Sequence, residues 1–247
     1  MEITLVLLGV AVGAMSGFFG IGGGTMLVPA LMMLGFDIKS AVGISVTQMV
    51  FSSLYGSWLN HRKGHLNLKE GGLIGLGGFT GALGSGWLVK AVPEIVLELA
   101  FVAVVGFALY RFFKAPSHVD PDAGHDLSPA VLFAVGAGIG LIAISMGIGG
   151  SILLTPILVG LLHYPLKKAV SAGLFFVVFS SVSGFISLSL AGHVDYLHGV
   201  VVGVSSLVGV QAGIWLAGRT HHKKHKKALI VLYAVILALM VKKVVFG

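Results

Sequence analysis

The chain has 247 residues, 56% of them hydrophobic and only 10% charged, and its mean hydropathy is +1.01. That leaves too little polar surface to cover a soluble globule, so the chain reads as a multi-pass integral membrane protein. The net charge of +7 gathers between the apolar stretches, where it signals topology and not nucleic-acid binding, and the absence of cysteine removes disulfides, thiolate metal sites and thiol nucleophiles.

In chain order the first element is expected at 3–18. No basic n-region or small-residue cleavage site accompanies it, so it reads as a retained helix and not as a signal peptide. It runs into Phe19-Gly20-Ile21-Gly22-Gly23-Gly24, and a second element at 24–35 contains Pro29. A dozen residues reach about 18 Å at helical rise, short of the roughly 30 Å hydrocarbon core. The third element, 40–60, carries Ser45, Thr47, Gln48, Ser52 and Ser53. After the basic loop 60–70 come a fourth element at 70–89, containing Ser85, and a fifth at 94–113. A polar linker, 114–128, follows.

The same order then repeats. Elements are expected at 129–145, 151–162, 169–190, 197–217 and 228–245, and the second opens on Met146-Gly147-Ile148-Gly149-Gly150-Ser151, followed by Pro156. The two glycine runs are 127 residues apart; an inserted residue then sets the spacing at 128 for Ala41-Val42 and Ala169-Val170, for Val50-Phe51-Ser52-Ser53 and Val178-Phe179-Ser180-Ser181, and for Trp87 and Trp215. The domain reading is a first transmembrane repeat at 1–113, a cytoplasmic linker at 114–128 and a second repeat at 129–247. A half-length period in an apolar chain points to a transporter built from two related halves.

Loop charge orients the halves. Loop 60–70 holds Arg62, Lys63 and Lys69 while its counterpart 188–198 holds no Lys or Arg; 218–228 holds Arg219, Lys223, Lys224, Lys226 and Lys227 while 90–94 holds only Lys90. The positive-inside rule then puts equivalent loops on opposite sides, which requires an odd number of elements per repeat. The expected fold is an all-α membrane protein with two inverted repeats of about five helices, and Gly-rich broken helices or re-entrant segments at its pseudo-symmetric centre. Two parallel four-span repeats are the alternative.

Continuous helix through either glycine run costs about 1 kcal/mol per Gly relative to Ala. A helix restarting at Thr25 or Ser151 would present free N–H groups and the positive end of its dipole to a cavity, the makings of an anion site. The competing reading is tight helix crossing through small residues, which Gly13/Gly17, Gly77/Gly81 and Gly209/Gly213 also suit. Candidate substrate-binding residues are therefore Gly20, Gly22, Gly23, Gly24 and Thr25 with Gly147, Gly149, Gly150 and Ser151, joined by Ser45, Thr47, Gln48 and Gln211. No acid, Lys or Arg lies deep in an expected span, so an anion would be held by dipoles and neutral donors. His65 and His193 occupy matched positions where a titratable gate could sit. No residues are assigned to catalysis, to a metal or to a cofactor.

Gly20-Ile21-Gly22-Gly23-Gly24 with Pro29, Gly147-Ile148-Gly149-Gly150-Ser151 with Pro156, the Ala-Val segments and the duplicated length together resemble the sulfite exporter TauE/SafE family of toluene sulfonate uptake permeases. The resemblance covers nearly the whole chain. It implies movement of sulfite, sulfoacetate or other sulfonates across a bacterial or archaeal plasma membrane; some relatives are assigned other small organic anions. The expected partners are a small anionic substrate and membrane lipid, with a homo-oligomer left open. Export down the membrane potential is the preferred mechanism. Proton-coupled uptake, a membrane-embedded lipid- or peptide-processing enzyme and a structural subunit are the alternatives, and no Gly-x-Ser-x-Gly or His-Glu-x-x-His constellation supports the enzyme.

Overall fold

A computed structural model describes residues 2–62, 68–114, 128–160, 166–220 and 222–246; the basic loop around His65 and the linker 115–127 lie outside the described residues. Among the described residues the chain is helical and contains no strand. In order the helices are α1 (Glu2–Phe19), α2 (Gly24–Met33), α3 (Ile38–Arg62), α4 (Leu68–Ala82), α5 (Ser85–Ala91) and α6 (Glu94–Lys114), then α7 (Pro129–Ser145), α8 (Ser151–Gly160), α9 (Leu166–Leu190), α10 (Tyr196–Arg219) and α11 (His222–Phe246). Among the described residues four segments are long and apolar enough to cross a membrane: Glu2–Phe19, Gly71–Ala91, Ala172–Leu190 and Tyr196–Arg219. By contrast, α2 and α8 have ten residues each, about 15 Å at helical rise and half the hydrocarbon thickness.

Small residues set the helix pairing. Along α1, a Cβ on Gly9, Gly13 or Gly17 would run into the α10 carbonyls of Val202, Ser206 and Val210 in turn, while Gly209 and Gly213 of α10 lie as close to the carbonyls of Val10 and Ala14. The pair α4 and α7 repeats the arrangement, with Gly77 and Gly81 on the carbonyls of Phe133 and Ala137 and with Gly136 and Gly140 on those of Ile74 and Gly78. Lipid supplies no hydrophobic drive between helices, so backbone approach at glycine gives these pairs their dispersion contact. The opposite faces of α4 and α10 take side chains: Gly71 and Gly75 receive the rings of Phe175 and Phe179, and Gly199 and Gly203 receive Thr47 and Phe51. Every contact named here joins an element of the first half of the chain to one of the second, and each pattern occurs twice.

The segment expected as one helix at 70–89 is two. After α4, Leu83 and Gly84 form a turn, and α5 starts on a new hydrogen bond from Leu88 N–H to the Gly84 carbonyl. Ser187 of α9 causes the break. Its hydroxyl donates to the Leu83 carbonyl at 2.6 Å and accepts from Gly86 N–H at 2.9 Å, so a side chain from 100 residues away occupies the helical ladder. The equivalent helix α10 is unbroken.

The short helices are packed inside the long ones. Leu27, Val28 and Leu31 of α2 and Ile152, Leu154 and Leu158 of α8 are buried. α2 contacts α3 and α11, while α8 contacts α9 and α6, again the same relation in each half. At two helix ends an arginine stacks on a tryptophan of its own helix: the Arg62 guanidinium lies 4.4 Å from the Trp58 ring centroid, and that of Arg219 lies 3.9 Å from Trp215. Such pairs combine an amphipathic ring with a charge suited to the lipid headgroup level.

Candidate functional site: two facing glycine turns

α1 stops at Phe19 and α2 resumes at Gly24; α7 stops at Ser145 and α8 resumes at Ser151. Between them, Gly20, Gly22 and Gly23 have φ of 69°, 77° and 83°, and Gly147, Gly149 and Gly150 have φ of 68°, 80° and 76°. The left-handed region costs a residue with a Cβ roughly 1–2 kcal/mol, which explains why glycine stands at the same three positions of both turns. The first new helical bonds run from Met26 and Leu27 N–H to the Gly23 carbonyl and from Leu153 and Leu154 N–H to the Gly150 carbonyl. The N–H groups of Gly24, Thr25, Ser151 and Ile152 precede those bonds, so each short helix begins with donors that have no intrahelical acceptor, at the positive end of its dipole.

The turns face each other. A Cβ on Gly24 would run into the Gly147 carbonyl, and one on Gly173 would stand 3.5 Å from the Gly20 carbonyl. Ser45 Oγ donates to the Gly147 carbonyl at 2.7 Å, and Thr25 Oγ1 donates to the Ile148 carbonyl at 3.4 Å. Each of these hydroxyls spends its single proton on the opposite turn. Thr25 is thus a strap between turns, and the residue capping α2 is Gly23, with no side-chain hydrogen bond. Ser52 Oγ lies 3.3 Å from the Gly22 carbonyl.

The other candidates divide. Gln48 and Ser151 are fully buried, and neither the amide of Gln48 nor the hydroxyl of Ser151 has a hydrogen-bond partner among the described residues. Thr155, one turn along α8, is in the same condition. It was not among the sequence candidates, although its place one turn after Ser151 on a short helix was the available signal. Gln48 lies against Gly23, while Ser151 and Thr155 lie against Gly173. Thr47 instead donates to Gly43 within its own helix at 2.9 Å and packs on Gly199. Gln211 is exposed on α10 and accepts from the Tyr55 hydroxyl at 3.2 Å.

His193 sits in the turn between α9 and α10, whose backbone rests on Gly43 of α3. Its pKa is held below the usual histidine value, first by burial and then by Lys39 and Lys90, with Asp37 opposing. In the same turn Asp195 caps α10, accepting from His198 N–H at 3.2 Å and pairing with His198 Nδ1 at 2.6 Å. Burial raises the Asp195 pKa, but these His198 contacts outweigh it and leave the carboxyl below its ordinary value. Among the described residues, no cluster of His, Cys, Asp and Glu is suited to a metal ion.

Buried irregular backbone flanked by half-length helices, within a bundle of longer apolar ones, is how membrane transporters house a substrate path, and a multi-pass membrane transporter is the class defined here. The chain belongs to the sulfite exporter TauE/SafE family, whose model matches residues 5–240. It is similar to the probable membrane transporter protein YunE of Bacillus subtilis (strain 168), at 24% identity over 96% of this chain and 95% of the relative. It is also similar to the probable membrane transporter protein MJ0441 of Methanocaldococcus jannaschii (28%, covering 79% and 75%) and to YdhB of Bacillus subtilis (27%, covering 85% and 87%). No solved structure matches the chain significantly.

Proposed function

We propose that the chain exports small sulfur-containing anions, such as sulfite, sulfoacetate or other sulfonates, down the membrane potential by alternating access. The observation that carries this reading is the meeting of two helix N-termini, each with N–H groups that have no intrahelical acceptor, beside the side chains of Gln48, Ser151 and Thr155, which have no hydrogen-bond partner among the described residues. Backbone donors and neutral side chains favour negative charge without a fixed cation, which suits an anion that must also be released. The sulfur in the proposal comes from the family description.

The working parts are two inverted repeats, 1–113 and 129–247, joined by a cytoplasmic linker at 114–128. In support, Ser53 and Ser181, equivalent residues in the two repeats, approach each other at 3.5 Å between hydroxyl oxygens, as residues on a pseudo-two-fold axis must. Rocking one half against the other about that axis would open the turns to one side at a time. His65 and His193 are the proposed gates at the two faces. An interior at −100 mV supplies about 2.3 kcal/mol per negative charge moved outward, enough to drive export with no coupling ion.

The test is sulfite and sulfoacetate efflux from proteoliposomes whose potential is clamped by a potassium gradient. Efflux is expected to accelerate as the interior is made more negative and to be lost in Gly23→Leu. Flux that ignores potential and follows only a proton gradient would sink the mechanism.

A further inference from the structure

The two turns are alike in backbone and unlike in what stands over them. A Cβ on Gly23 would lie 2.9 Å from Gln48 Oε1 and 3.1 Å from Nε2, so the whole carboxamide is presented to the first turn. Gly150, the equivalent of Gly23, faces the ring of Phe176, the equivalent of Gln48. Likewise Ser45 covers the Gly147 carbonyl in one half, whereas its equivalent in the other is Gly173, with no side chain to cover Gly20. At matched places over the two turns, the third helix of one half thus offers a carboxamide and a hydroxyl where that of the other offers a ring and a glycine; of the two polar groups, Ser45 has a partner in the opposite turn and Gln48 has none among the described residues.

Gln48 is 0% exposed, yet both its amide atoms lack partners among the described residues. A buried polar group without a partner destabilises a fold, so its position calls for a ligand. A carboxamide carries a donor and an acceptor side by side. A bare oxyanion satisfies only the donor, and its lone pairs would face those of the amide oxygen. An oxyanion that also bears an O–H or N–H satisfies both. No Lys or Arg is buried among the described residues, so recognition at this turn falls to neutral donors and acceptors.

Resting on the anion-transport reading of the same site, we propose that Gln48 is its specificity-determining residue. It selects small oxyanions that carry their own hydrogen-bond donor over the same anion without one. The chemical class comprises hydrogen forms of oxyacids and hydroxy-substituted sulfonates and carboxylates.

Calorimetric titration of the purified full-length chain in detergent with matched pairs provides the test: 2-hydroxyethanesulfonate against ethanesulfonate, and lactate against propionate. Within each pair the hydroxyl is the change, and all four are fully ionised at neutral pH. The hydroxylated member of a bound pair is expected to bind about tenfold more tightly, the scale of leaving one buried acceptor unpaired. In Gln48→Met that preference is expected to vanish. Gln48→Leu is a second apolar variant, and both remove unpaired buried groups, so melting temperatures should not fall. Equal affinities within a pair in the parent chain, or a preference that survives in the variants, overturns the selection by Gln48 and leaves anion transport standing. Failure of all four anions and of sulfite to bind overturns both.

Discussion

Three glycine-to-alanine substitutions separate the physical roles that glycine plays in this chain. Gly147 has φ of 68°, and a Cβ there would lie 2.8 Å from Val28 Cγ2 and 3.1 Å from the backbone Cα of Val42. Alanine at 147 therefore bears a left-handed penalty of roughly 1–2 kcal/mol and an overpacking penalty of about 1–3 kcal/mol, together about 2–5 kcal/mol. Gly35, in the turn after α2, has φ of 95° with nothing within 4 Å of the added carbon, so Gly35→Ala carries only the backbone term. Gly106, inside α6, has neither a positive φ nor a close neighbour, and alanine there should stabilise the helix by about 0.5–1 kcal/mol. Melting temperatures of the three purified variants, read by intrinsic fluorescence in one detergent, are expected to fall in the order Gly106→Ala, parent, Gly35→Ala, Gly147→Ala. Coincident melting of Gly35→Ala and Gly147→Ala would refute the claim that the facing turns are packed to contact.

Two further outcomes follow from the hydrogen bonds and the charges. Ser45→Ala removes the 2.7 Å donor to the Gly147 carbonyl and leaves that buried oxygen unpaired, so a loss of about 1–3 kcal/mol is expected in reversible unfolding; no change in stability would mean that water or a shifted side chain takes over. His193, held below its ordinary pKa, binds fewer protons folded than unfolded between the two values, so its contribution to stability is fully present above the unfolded value of about 6.5 and is lost as pH falls from there through the lower folded value. Melting curves from pH 7.5 to 5 should therefore decline less steeply in His193→Gln than in the parent, and identical slopes would remove the effect.

Much of the helix pattern was legible because its signals are local. Runs of apolar residues demanded membrane helices, and clustered glycines marked Phe19 and Ser145 as places where helix stops, since the propensity penalty acts on the residues themselves. The polar residues were less legible. Ser45, Thr47, Gln48 and Gln211 are equivalent as apolar-span polar residues, yet the fold ties Ser45 to the opposite turn, directs Thr47 to α10, leaves Gln211 exposed beside Tyr55 and buries Gln48 without a partner among the described residues. Thr155 passed unremarked for the same reason, because its significance lies in what surrounds it.

The sequence by itself determined the membrane class, the duplicated order of elements and the places where the backbone needs glycine, because hydropathy and the left-handed conformation are properties of short stretches of chain. The tertiary structure alone decided which donors remain free and where the fourth segment breaks. A hydroxyl has one proton, and only packing brings Ser45 to Gly147, Thr25 to Ile148 and Ser187 to Leu83, each more than 100 residues away, to use it.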